Sequence, residues 1–156
     1  MKLSALLADI ATALANDTAL EAYCQTNFTK SPSIFVHLDP KNPPSISKAP
    51  YIGLTIQQYS RPVEANARVI DFTLETGCYI DNKKEKLSNS NKVSTLEGFA
   101  MIEDFSDLVF AAIEKAITTS SLQLNMSYRS EDTTLLAVGE FPGWVASRNF
   151  IISKNV

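Results

Sequence analysis

From Tyr51 the sequence alternates strictly, with Ile52, Leu54 and Ile56 on one side of an extended chain and Gly53, Thr55 and Gln57 on the other. Arg61-Pro62 marks a turn. The alternation resumes from Arg68, with Ile70, Phe72, Leu74, Cys78 and Ile80 opposed to Asp71, Thr73, Glu75 and Tyr79. A period of two sustained over such lengths demands strands with one buried face, so the chain must build an amphipathic, mostly antiparallel sheet and cover one side of it. Both strands reach the upper end of ordinary strand length, so the hairpin tip near Arg61 is expected to project past the core.

Helices supply the cover. Leu3, Leu6, Leu7, Ile10 and Leu14 recur at helical spacing among alanines, which predicts an amphipathic opening helix. Asn16 and Asp17 break it, and Thr18 with Glu21 reads as a capping box for a second piece ending near Tyr23, either separate or continuous through a kink. Ser94 with Glu97 reads as the cap of a longer helix over 94–118, whose apolar positions are Phe99, Ile102, Phe105, Val109, Ala112, Ile113, Ala116 and Ile117.

Shorter strands are expected at 33–39, at 122–128, where Leu122, Leu124, Met126 and Tyr128 alternate, and at 133–138; a final strand over 144–153 follows the turn Phe141-Pro-Gly. Two segments read as irregular. Residues 39–50 hold four prolines and are expected to form an extended exposed arm or loop, and residues 82–92 are polar at all but one position and are expected to form a mobile loop. The fold expected is α+β: one domain over 1–156, a mostly antiparallel sheet of about four to five strands, two main helices on one face, and a long projecting hairpin.

A chain of 156 residues that is 45% hydrophobic can bury a single core without a disulfide or a metal, so no cofactor is expected. Its net charge of −3 lacks the basic footprint of a general nucleic-acid binder. Lys2, Ser4, Asp9 and Thr12 interrupt the apolar N-terminus, which argues against a signal peptide, and no run suits a transmembrane helix, so the chain is expected to stay in the cytosol. Cys24 and Cys78 stand far apart with no CxxC and read as buried free thiols.

Chemistry-bearing residues are sparse. His37, the one histidine, lies in an apolar strand with no obvious nucleophile beside it. Asp71 and Glu75 share a strand face, and a nuclease-like acidic pair binding a divalent metal is the sharp reading; a solvated sheet face with arginines nearby is the plainer one. Phosphate-loop, GxGxxG, HExxH and GxSxG motifs are absent. Lys83, Lys84 and Lys86 are interleaved with Glu85, which weakens phosphate binding and leaves a protein partner as the livelier use. Trp144, with Phe141 and Pro142, reads first as core packing and second as an interface anchor.

The layout resembles the tail terminator (tail completion) proteins of long-tailed bacteriophages. The resemblance is carried by the amphipathic opening helix, the hairpin over 51–81, the helix containing GFAMIEDFSDLVFAAIEKAI, and the ending FPGWVASRNFIIS. It spans nearly the whole chain as a layout, without a signature residue. It implies a structural subunit with no catalysis and no cofactor. Such subunits form a ring, commonly a hexamer, that caps the tail tube, stops its polymerisation and presents a surface to head-completion or neck proteins. They do so in the host cytoplasm during assembly and then in the virion tail.

Spare strand edges and polar segments suit a head-to-tail ring, since they are hazards in a monomer. The interface is therefore expected in three places: the arm over 40–50 with Lys41, Ile46 and Lys48, the hairpin tip at Arg61, and the loop over 82–92 with Lys83, Lys84, Lys86, Leu87 and Lys92, which is expected to order on assembly. Trp144 is the further candidate. The rival readings are a small metal-dependent enzyme or nuclease using Asp71 and Glu75, and another phage structural protein of the tube, neck or baseplate.

Overall fold

A computed structural model describes the backbone of residues 3–39, 41–42, 44–60, 69–119, 124–127, 134–137 and 143–155, with side chains except at 58–60, 69–71, 124–127, 134–137 and 154–155. Helices α1 (Leu3–Ala15) and α2 (Thr18–Phe28) meet at a 60° bend. Asp17 caps α2, its carboxylate accepting from Leu20 N at 2.9 Å. The expected Thr18–Glu21 box therefore gives way to a cap one residue earlier, and Glu21 instead accepts from Gln25 and Ser31. Among the described residues no single helix is long and apolar enough to cross a membrane, and the apolar stripe of α1 (Leu6, Leu7, Ile10, Leu14) is buried in the core.

The main sheet contains β1 (Ser33–Val36), β2 (Tyr51–Ser60), β3 (Val69–Asp81), β6 (Leu124–Ser127), β7 (Thr134–Ala137) and β8 (Gly143–Asn155), in the order β1-β2-β3-β8-β6 with β7 also on β8. The last two short strands pair with different halves of β8, at Ile151–Lys154 and Trp144–Ser147, so the sheet is five positions wide. Among the described residues all pairings are antiparallel except β1 with β2. A second, two-stranded ribbon joins β4 (Glu85–Ser88) to β5 (Val93–Leu96), and α3 (Glu97–Thr119) follows directly. The fold is thus α+β as expected. The tip of the β2–β3 connection and the residues Leu122, Tyr128, Phe141 and Pro142 lie outside the described residues.

The parallel pairing of β1 explains the proline-rich stretch. Parallel neighbours cannot be joined by a tight turn, so the chain must travel back along the strand before β2 begins. The described residues between 37 and 50 lie along that return, with a 3-10 turn at Ile46–Lys48. They are anchored: His37 N donates to Leu54 O at 2.7 Å and Ser33 N to Pro50 O at 3.0 Å, while Ala49 and Pro50 are buried. The exposed arm or loop expected from the prolines is thus a crossover tied at both ends, with Lys41, Ile46 and Lys48 exposed along it.

The pleat sorts the sheet into two faces. Ile52, Leu54, Phe72, Leu74, Cys78, Ile80, Ala146, Phe150 and Ile152 meet the helices in one buried cluster with Ile102, Phe105, Val109, Ile113 and Ile117 of α3. A bulge at Gln57 shifts the β2–β3 register between Ile56 and Gln58, which ends the strict alternation there. Phe105 is fully buried, with the rings of Tyr23 and Phe28 each centred 6.3 Å from its own.

Glycine at position 98 is required by Trp144. A Cβ there would fall inside van der Waals contact with the indole Nε1, Cδ1 and Cε2 atoms. The indole is itself held, donating to Asn82 O at 3.3 Å and meeting Phe99 edge-on at 6.1 Å. Alanine forms helix better than glycine by about 1 kcal/mol, but overpacking a fixed side chain costs about 1–3 kcal/mol. Gly98→Ala is therefore expected to lower the stability measured by urea unfolding; a gain would contradict this packing.

Candidate interaction surface

Most of the polar stretch after β3 folds into the β4–β5 ribbon, which corrects the irregular loop expected there. Glu85 pairs with Leu96, Lys86 with Thr95, Leu87 with Ser94 and Ser88 with Val93. Asn89, Ser90 and Asn91 turn the chain with φ of 51°, 57° and 66°, the left-handed region that short polar side chains enter most readily, and Lys92 N closes the turn on Asn89 O at 3.2 Å. Ser94 lies in β5 and donates to the Glu85 carboxylate, so it does not cap α3. That helix starts three residues later, where Glu97 N donates to Lys84 O at 3.0 Å.

The base of the ribbon is clamped and its blade is bare. Asn82 accepts from Trp144 through its carbonyl and from Lys84 N through its side chain, the latter at 2.7 Å. All eight residues of β4 and β5 are exposed. Opposed residues share a face, so Glu85, Leu87, Ser94 and Leu96 lie on one side of the ribbon and Lys86, Ser88, Val93 and Thr95 on the other. Leu87 is 52% exposed, and Val93, Leu96 and Phe99 are also exposed. A lone two-stranded ribbon with neither face covered is at best marginally stable in water. Apolar side chains on both faces give it surface to bury against something else.

The expected interface residues separate accordingly. Lys83, Lys84, Lys86, Leu87 and Lys92 gather on or beside the ribbon and are exposed. Lys41, Ile46 and Lys48 are exposed on the crossover. Arg61 lies outside the described residues. Trp144 is corrected: it is only 7% exposed and packs in the core, so the anchor reading falls and the packing reading holds. Phe99, expected in the core, is instead 45% exposed beside the indole, because Gly98 takes the inward position of that turn.

The face of the sheet away from the helices carries Thr55, Gln57, Thr73, Glu75, Tyr79 and Ser147. Glu75 accepts from Ser147 Oγ at 3.1 Å and from Gln57 Nε2, so its carboxylate ties β2, β3 and β8 together. Phe35, Tyr51 and Tyr79 form a row, with Tyr51 stacked on Tyr79 at 4.2 Å and Phe35 edge-on to Tyr51 at 5.6 Å. Leu38 of the crossover lies over Gly53, where a Cβ would collide with it. Beside it is a groove of about 190 Å³ between Leu38, Asp39, Thr55, Glu75 and Tyr79.

The Asp71 side chain lies outside the described residues, and the Glu75 carboxylate is already engaged by Gln57 and Ser147. Among the described residues no group of three His, Cys, Asp or Glu side chains could hold a metal. His37 is exposed in a bend with φ of 58°. Cys24 and Cys78 are free and buried, and burial pushes both thiols up to about 12, far from the thiolate a nucleophile needs. Arg148 emerges between sheet and α3, pairs with Asp107, and lies 5.1 Å from the Phe110 ring centre. A scan against protein-family models gives no match, and a search of curated proteins gives none either, so the functional reading rests on this surface.

Proposed function

We propose that this chain is a structural assembly subunit of the tail-terminator type, forming a ring that caps the tail tube of a long-tailed phage or prophage and offers its other side to a head-completion or neck protein. The observation that carries the reading is the β4–β5 ribbon: clamped at its base, exposed on both faces, and bearing Leu87, Val93 and Leu96 in water. A monomer gains nothing from such an element, whereas a subunit that must grip a neighbour does. The exposed crossover side chains Lys41, Ile46 and Lys48 supply a second contact region.

Tail length tests the reading. A phage or prophage lacking the protein should accumulate overlong tails without heads, measured in negative-stain images of lysates, and the purified protein should form rings. Headless tails of normal length would point to a neck component instead, and normal virions would end the proposal.

A further inference from the structure

Charge divides this molecule unevenly. Four lysines against one glutamate give residues 82–96 a net charge of +3, which leaves −6 for the rest of a chain whose total is −3. Lys83, Lys84, Lys86 and Lys92 are all exposed and make no ion pair among the described residues. The outer stripe of α3 has the opposite character: Ala100, Glu103, Asp104, Asp107 and Ala111 follow at helical steps and are all exposed. Alanine at both ends keeps that stripe low, so a flat element can lie against it, and the ribbon is such an element.

Resting on the ring reading, we propose that the β4–β5 ribbon of one subunit docks on the acidic outer stripe of α3 in a second copy of this chain. Lysines at the base and the turn frame the ribbon, and they would meet Glu103 and Asp104 while Val93, on the same face as Lys86, covers the alanines. Two different patches meet, so the contact is head-to-tail, the kind that closes into rings. Opposed patches of this size attract at low ionic strength and are screened when the Debye length falls to about 3 Å near 1 M salt.

A charge-exchange mixture tests the pairing. One variant carries Lys83→Glu, Lys86→Glu and Lys92→Glu; the other carries Glu103→Lys and Asp104→Lys, leaving Asp107 to its pair with Arg148. Each alone should be monomeric by light scattering at low salt where the parent associates, with association weakened at least tenfold. Mixed in equal amounts, they should associate again, because each ribbon then meets a stripe of opposite sign. Circular dichroism melts matching the parent show that loss is not misfolding. Variants that associate alone as well as the parent, or a mixture that stays monomeric, would overturn the docking while leaving a ring possible by other contacts. A parent that stays monomeric at low salt, or that uses the lysines only to bind duplex DNA, would overturn both.

Discussion

Replacing residues 85–96 by a Gly-Ser-Gly link is expected to abolish self-association and leave the domain folded. The excision is geometrically mild, because Glu97 N already donates to Lys84 O at 3.0 Å and the two ends are adjacent. It removes eight exposed strand residues and a turn, and none of them belongs to the buried cluster. A change of less than about 1 kcal/mol would move Tm by no more than about 4 °C in a domain of this size. Melting by circular dichroism and mass by light scattering read the two halves of the expectation. A large drop in Tm would mean that the ribbon supports its own subunit, and unchanged association would remove it from the interface.

Phe105→Ala should have the largest effect on folding. The ring is fully buried between α3, α2 and the sheet, with Tyr23 and Phe28 packed on it. Truncation removes its transfer free energy and leaves a cavity that rigid neighbours cannot close, for a cost of about 3–5 kcal/mol. Tm should fall by roughly 6–20 °C. Phe105→Leu should recover part of this. A loss under about 1 kcal/mol for the alanine variant would mean that the helices do not seat on the sheet through this residue.

Burial left clear marks in the sequence. The period-two runs around Leu54 and Phe72 and the period of α3 were legible because one side of each element meets the core, and side chains there must be apolar. The ribbon was not legible for the same reason: with neither face buried, Glu85–Ser88 and Val93–Leu96 carry no hydrophobic alternation to read. Its one signal was Asn89-Ser-Asn91, a left-handed turn set between Leu87 and Val93. Prolines between Asp39 and Pro50 pointed to a stretch without α-helix or central strand but hid both the 3-10 turn at Ile46–Lys48 and the crossover, since parallel pairing of β1 with β2 is a long-range fact. Ser94 looked like a cap because a capping box and a serine in a strand next to a glutamate share the same letters. Trp144 showed its apolar character but not its partner, which is the absent side chain of Gly98.

Across these elements, the helical layer and the sheet satisfy each other, and the ribbon is the element left over. Amide hydrogen exchange over residues 85–96, followed across a range of protein concentration at low salt, tests that claim most directly. These amides should exchange quickly in the dilute monomer and slow by at least tenfold, while the core strands stay unchanged, over the concentrations where mass increases. Exchange that is slow in the monomer, or that stays fast once the subunits have associated, would contradict it.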